Sequence, residues 1–254
     1  SDVCSSDLEL FMSTRYDVEK HKWDEKAAGM MAGQHNWHYG KSYDDVFTSM
    51  NTLLPVYRFF DGIGQPGVTI LDYGCGRGWA TMAFATKAEK VKGFDISEQS
   101  VELVRQRAAS NHFDNVEVVA ADGEALPYED GQFDYVFGNA ILHHLQLDRC
   151  LPEIYRVMKR GGRAAFCEPL AHNPAINLFR YLKHHVFMEH VGTDRPLKYA
   201  DKAVFEEYFD EVNFEESSFL RDRIKFLIPV DRMLLKIPFL RPYVAYVTVL
   251  LKKK

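Results

Sequence analysis

Between Val68 and Leu170 short apolar runs alternate with longer amphipathic ones, and this alternation restricts the chain to very few folds. VTILDYG (68–74), VKGFDIS (91–97), VEVVAADG (116–123), FDYVFGNAIL (133–142) and GRAAFCEPL (162–170) are short and apolar, bounded by glycine, asparagine or acidic residues, and read as buried strands. WATMAFATKA (79–88), EQSVELVRQRAASNH (98–112) and LDRCLPEIYRVMKRGG (147–162) lie between them and read as helices, the last closed by two glycines. Repeated strand–helix units join by right-handed crossovers into a parallel sheet with helices on both faces. After Pro169 the alternation breaks. NPAINLFRYLKHHVFMEH (173–190) and DKAVFEEYFDEV (201–212) read as helices, the first an insertion above the sheet. FEESSFL (214–220) and YVAYVTVLLKK (243–253) read as an antiparallel pair at the sheet edge. The expectation is an α/β, doubly wound, mostly parallel seven-stranded sheet with an antiparallel edge hairpin.

The flanks set the organisation. SDVCSSDL at residues 1–8 matches the translation of the end of a common sequencing adapter. Residues 1–11 are therefore set aside as an artefact or disordered tail on an environmentally derived gene, with Met12 a candidate native start. Residues 12–61 read as an N-terminal helical lid with a break around Ala32–Gly40, where Trp37, His38 and Tyr39 are candidates to close over a ligand. GIGQPG (62–67) turns the chain into a core spanning 62–170, and 171–254 reads as a substrate-side insertion plus edge strands. A net charge of −5 disfavours nucleic acid as a partner. Cys4, Cys75, Cys150 and Cys167 show no metal-ligand spacing, so no metal is expected, and free thiols fit a reducing, cytoplasmic setting.

Chemistry concentrates at the strand ends. LDYGCGRG (71–78) spaces its glycines GxGxG where a strand meets a helix, leaving the backbone open to a ligand. A dinucleotide fingerprint wants GxGxxG, but Trp79 holds that last position. Asp72 would repel a pyrophosphate and suits a cationic sulfonium. Asp95 ends the second strand, where a carboxylate can accept ribose hydroxyls, and Asp122 ends the third. The ordered set LDYGCGRG, GFDIS, AADGEALPYEDGQFDYVFGNAILHHL and RVMKRGGRAAFCEP resembles class I S-adenosylmethionine-dependent methyltransferases over about Val68–Pro169. It is most similar to the small-molecule group that includes ubiquinone/menaquinone-type enzymes, with Arg160 where proline is commonest in that family.

The resemblance implies a Rossmann-like fold and S-adenosyl-L-methionine as cofactor. It implies that Asp72, Gly74, Cys75 and Gly76 cradle the methionine part and ribose. Asp95 would hold the ribose hydroxyls, Ile96 the adenine face, Asp122 the adenine amino group with Gly123 alongside, and Asn139 with Ala140 the methionyl moiety. His144, then His143, follow the fourth strand as candidate bases, and Glu168 with His172 is a candidate polar pair over a substrate. GNAI stands where nucleobase- and glutamine-modifying enzymes carry [DN]PP[YF], which leaves a small organic acceptor methylated at oxygen or carbon. Arg221–Lys254, apolar and basic by turns, is a candidate for peripheral contact with a membrane or lipid-like acceptor. The competing readings are an NAD-dependent oxidoreductase and a non-catalytic binding or scaffold protein.

Overall fold

The computed structural model describes residues 17, 19–25, 41–174, 177, 178, 181, 195–219 and 228–254. Its sheet has seven strands: β1 (Thr69–Tyr73), β2 (Lys90–Asp95), β3 (Val116–Ala120), β4 (Phe133–Asn139), β5 (Met158–Pro169), β6 (Glu211–Ser218) and β7 (Tyr246–Lys252). They lie in the order β3-β2-β1-β4-β5-β7-β6. The first five pair in parallel, and β7 runs antiparallel to both β5 and β6. From β1 the chain winds outward through β2 to β3, then returns to place β4 on β1's other side. That reversal opens a crevice at the carboxyl ends of β1 and β4.

Strand alternation divides the core between two faces. On one, Leu71, Tyr73, Val136 and Phe166 meet Leu151 and Ile154 of α6 (Leu147–Val157). On the other, Ile70, Phe137 and Ala165 meet Phe84 of α4 (Trp79–Ala85). Two short N-terminal helices, α2 (Tyr43–Ser49) and α3 (Leu54–Phe59), join that second face through Tyr43, Phe47 and Val56, all buried. The N-terminal segment is thus divided in its contacts. Residues 43–60 cover the sheet, whereas α1 (residues 19–25) lies over the carboxyl-edge crevice. Trp37, His38 and Tyr39 lie outside the described residues.

α5 (Glu98–Ser110) is started by Ser97, whose hydroxyl accepts from the Ser100 amide, and it buries Ser100, Val101, Val104 and Ala108 on one stripe. The helix expected over 147–162 is shorter. It ends at Val157, and Met158–Gly162 joins β5 instead. Met158 pairs with Phe133, and the Gly161 amide donates to the Lys253 carbonyl at 2.7 Å, so two distant strand ends draw this polar stretch into the sheet. Helical positions at 174, 177, 178 and 181 agree with a helix in 173–190, most of which lies outside the described residues. Within 201–212 the helix is confined to α7 (Lys202–Glu206), and Glu211 and Val212 already belong to β6.

Candidate functional site

The crevice is a cavity of about 630 Å³, within the range of small-molecule sites. Its floor is the turn after β1. Gly74 holds φ +72, and a Cβ there would lie 2.8 Å from Ile141, so glycine is required both by conformation and by space. Gly78 holds φ +76 at the start of α4, where a Cβ would meet Val104 of α5 at 2.8 Å. The glycines thus let the turn close tightly between its neighbours while leaving its upper surface bare.

Three acidic residues from successive strand ends line this one cavity. Asp95 is tied down on both oxygens: Oδ2 accepts from the Gly76 amide at 2.8 Å and Oδ1 from the Ser97 amide at 3.0 Å. Burial pushes its pKa up, and the two amides oppose that shift. Asp122 Oδ1 accepts from the Glu124 amide at 2.8 Å, fixing the turn that follows β3. The next residue is held from below, because the Tyr73 hydroxyl donates to the Gly123 carbonyl at 2.5 Å.

Asp72 is only 2% exposed and accepts from the Thr81 hydroxyl at 2.5 Å. Burial raises its pKa to about 7, against the lowering effect of the Thr81 hydrogen bonds. In the unfolded chain the carboxyl ionises near pH 4, whereas in the fold it keeps its proton to about 7. The folded state therefore binds more protons across that window, and stability falls as pH rises through it. Replacing Asp72 by Asn removes this penalty. Thermal melts of the ligand-free protein should show Asp72→Asn gaining stability over wild type between about pH 4 and 7. Parallel pH profiles for the two proteins would contradict this assignment.

Beyond β4 the backbone is unusual. Ala140 adopts φ +56, a left-handed conformation disfavoured for a residue with a Cβ, and its amide donates to the Cys167 carbonyl at 2.8 Å. This kink directs the chain into the 3₁₀ turn Leu142–His144, closed by the His144 amide on the Ile141 carbonyl. The expected sites here have different environments. His144 lines the cavity. His143 does not: it turns inward, with Nδ1 2.7 Å from Glu168 Oε2. Glu168 is fully buried at the end of β5, and its Oε1 accepts from the Ile141 and Leu142 amides, both at 2.8 Å. The carboxyl anchors the turn from behind. It does not pair with His172, whose Nε2 accepts from the Tyr199 amide at 3.3 Å.

All ten residues expected around a cofactor line the cavity: Asp72, Gly74, Cys75, Gly76, Asp95, Ile96, Asp122, Gly123, Asn139 and Ala140. Two more were not singled out from the sequence. Glu19 and Trp23 on α1 face His144 across the cavity. Glu19 Oε2 lies 3.9 Å from His144 Nδ1 and accepts from the Trp23 indole N–H at 3.0 Å. The Trp23 and His144 rings meet edge to face at 5.6 Å. Asp24 accepts from the Ser97 hydroxyl at 2.6 Å, joining α1 to the start of α5. A Glu-x-x-x-Trp pair on one helical face was the available signal, but nothing local indicated what that face would meet. Among the described residues no cluster of three or more histidine, cysteine or acidic side chains could hold a metal ion.

Residues 71–166 match a family model described as a methyltransferase domain. The chain is 33% identical over 179 residues to a demethylmenaquinone methyltransferase of Symbiobacterium thermophilum, covering 61% of this chain and 71% of that protein. It is 37% identical over 132 residues to a ribosomal protein L11 methyltransferase of Burkholderia vietnamiensis, covering 50% of this chain but only 42% of that one. In structure it resembles a geranyl diphosphate C-methyltransferase from Streptomyces coelicolor A3(2), with TM-score 0.62, 16% identity, and 96% and 99% of the two chains covered. A [4+2]-cyclase is similar in fold, with TM-score 0.64, 19% identity and 94% and 96% coverage.

Proposed function

We infer the activity from one premise: this chain belongs to the class I S-adenosylmethionine-dependent methyltransferases. Its reaction, on this reading, is transfer of a methyl group from S-adenosylmethionine to oxygen or carbon of a small, lipid-like organic acceptor. The convergence of Asp72, Asp95 and Asp122 on a cavity floored by a bare glycine turn is the observation that carries the reading. A [4+2]-cyclase has a similar fold, so the reading rests on these side chains and not on architecture.

The residues present fit the cofactor. Open space lies where a Cβ at Gly76 would stand, and the Asp95 carboxylate, with two backbone amides already on it, has lone pairs left for ribose hydroxyls. Asp122 and Gly123 would take the adenine amino edge, with Ile96 against its face. Cys75 and Gly76 continue the cradle, and Asn139 and Ala140 would flank the methionyl end. The bound sulfonium supplies a methyl carbon already activated for in-line displacement. The chain's own task is to align the acceptor, exclude water and take up a proton. Phe137, Ile141, Leu145 and Trp23 supply an apolar wall for that acceptor. His144 would receive the acceptor's proton, and the Glu19 carboxylate beside it would steady the resulting imidazolium.

Asp95→Ala should weaken S-adenosylhomocysteine binding by about 1–3 kcal/mol, because hydrogen bonds to a charged acceptor are lost. Titration calorimetry reads this directly, and unchanged affinity would remove Asp95 from the ribose site. The reaction itself is tested by incubating the protein with methyl-labelled cofactor and quinols, phenols, sugars or lipid extracts. Label appearing in an oxygen- or carbon-methylated product supports the reading. Label found only on nitrogen would contradict it.

A further inference from the structure

One excursion begins and ends at the edge of the sheet that carries the cavity. Ser218, at the end of β6, and Pro169, at the end of β5, both pair with Tyr246 at the start of β7. Residues 219–245 therefore leave and return at the carboxyl edge of the parallel strands. The Asn173 side-chain amide donates to the Tyr243 carbonyl at 2.8 Å, bringing the chain after β5 alongside.

The described part of this excursion contains α8 (Ile228–Leu234) and the 3₁₀ helix Pro238–Tyr243. It presents Val230, Met233, Phe239 and Tyr243 to solvent, Phe239 at 73% exposure. Arg232, Lys236 and Arg241 are exposed among them. The one acidic residue within 228–245, Asp231, is 1% exposed, its carboxylate taken by the Asn51 side chain and the Phe219 amide. The outward surface of 228–245 is therefore apolar and cationic with no exposed acid. Scattered apolar side chains on a surface need no explanation, but Val230, Met233, Phe239 and Tyr243, four large ones on one short segment, mark a contact surface.

We propose that this face docks on an anionic lipid bilayer. Its apolar side chains would enter the headgroup–acyl boundary while Arg232, Lys236 and Arg241 meet lipid phosphates. Charge decides against a second copy of the chain, because a two-fold contact would set these cations against themselves. Docked this way, the carboxyl edge faces the bilayer, and an acceptor dissolved in lipid lies on the cavity's side of the protein. That last step rests on the proposed methyl transfer; the docking does not.

Flotation with vesicles of phosphatidylglycerol and phosphatidylcholine, and of phosphatidylcholine alone, tests the proposal at low and high salt. Wild-type protein should float with the anionic vesicles, dissociate at high salt and leave neutral vesicles largely bare. The double variant Met233→Ser/Phe239→Ser should partition at least about tenfold less, since two side chains no longer enter the boundary. Lys236→Glu should weaken anionic binding alone. S-adenosylhomocysteine titration unchanged in these variants shows them folded. Equal, salt-insensitive binding to both vesicle types would overturn the proposal, as would anionic binding retained in full by the double variant. Absence of flotation, with a dimer in sedimentation velocity that the double variant dissolves, would assign the face to a second copy. Flotation by a protein that fails to bind S-adenosylhomocysteine would leave this proposal standing and remove the methyl-transfer reading.

Discussion

His144→Ala is expected to lower methyl-transfer turnover by about 10²–10⁴-fold while S-adenosylhomocysteine affinity changes little. The expectation follows from placement. Of the two adjacent histidines, only His144 lines the cavity, and its ring is held between Trp23, Glu19 and the His143 ring at 4.1 Å. The Asp95 carboxylate is held instead by the Gly76 and Ser97 amides. Loss of the imidazole should therefore remove proton acceptance without disturbing the nucleoside. Steady-state kinetics beside calorimetry separates the two effects. Equal losses in turnover and affinity would make His144 part of the cavity's packing.

Glu168→Ala should destabilise the fold by about 3–5 kcal/mol, the second large effect. The carboxyl is fully buried and satisfies three groups at once: the Ile141 and Leu142 amides and the His143 ring. Truncation orphans all three, at about 1–3 kcal/mol for each donor left without water or partner. Glu168→Gln keeps an acceptor for the two amides and should retain most of the stability. Denaturant midpoints of the two variants test this, and an alanine variant as stable as wild type would mean that the turn holds itself. The turn also presents His144, so the alanine variant should lose turnover beyond what unfolding explains.

Much of the cavity lining around the glycine turn was legible in the sequence because each of its parts is local. A glycine turn, an acidic strand end and a DG dipeptide each carry their meaning within a few residues, and the order of strands brings them to one edge. The lining around His144 was not legible in this way. Glu19 and His144 are brought together only by the fold, and no spacing rule links a glutamate on α1 to a histidine after β4. Glu168 read as a residue over the substrate because strand ends usually face ligands. It is instead covered by the turn after the left-handed Ala140, whose Ile141 and Leu142 amides it accepts, and an alanine does not announce that turn. The start of β5 was hidden for a similar reason. Lys159–Gly162 is polar and glycine-rich, and what draws it into the sheet is Phe133 beside Met158 and the Lys253 backbone beside Gly161. The N-terminal segment read as one lid, yet Tyr43, Phe47 and Val56 are buried in the second core face while Glu19 and Trp23 reach the cavity.

Calorimetric titration of the intact chain with S-adenosylhomocysteine, followed by NADH as competitor, asks whether the cavity takes a sulfonium nucleoside and not a dinucleotide. One saturable site per chain is expected, weakened by Asp95→Ala and not displaced by NADH. Absence of heat with S-adenosylhomocysteine, or its displacement by the dinucleotide, would contradict it.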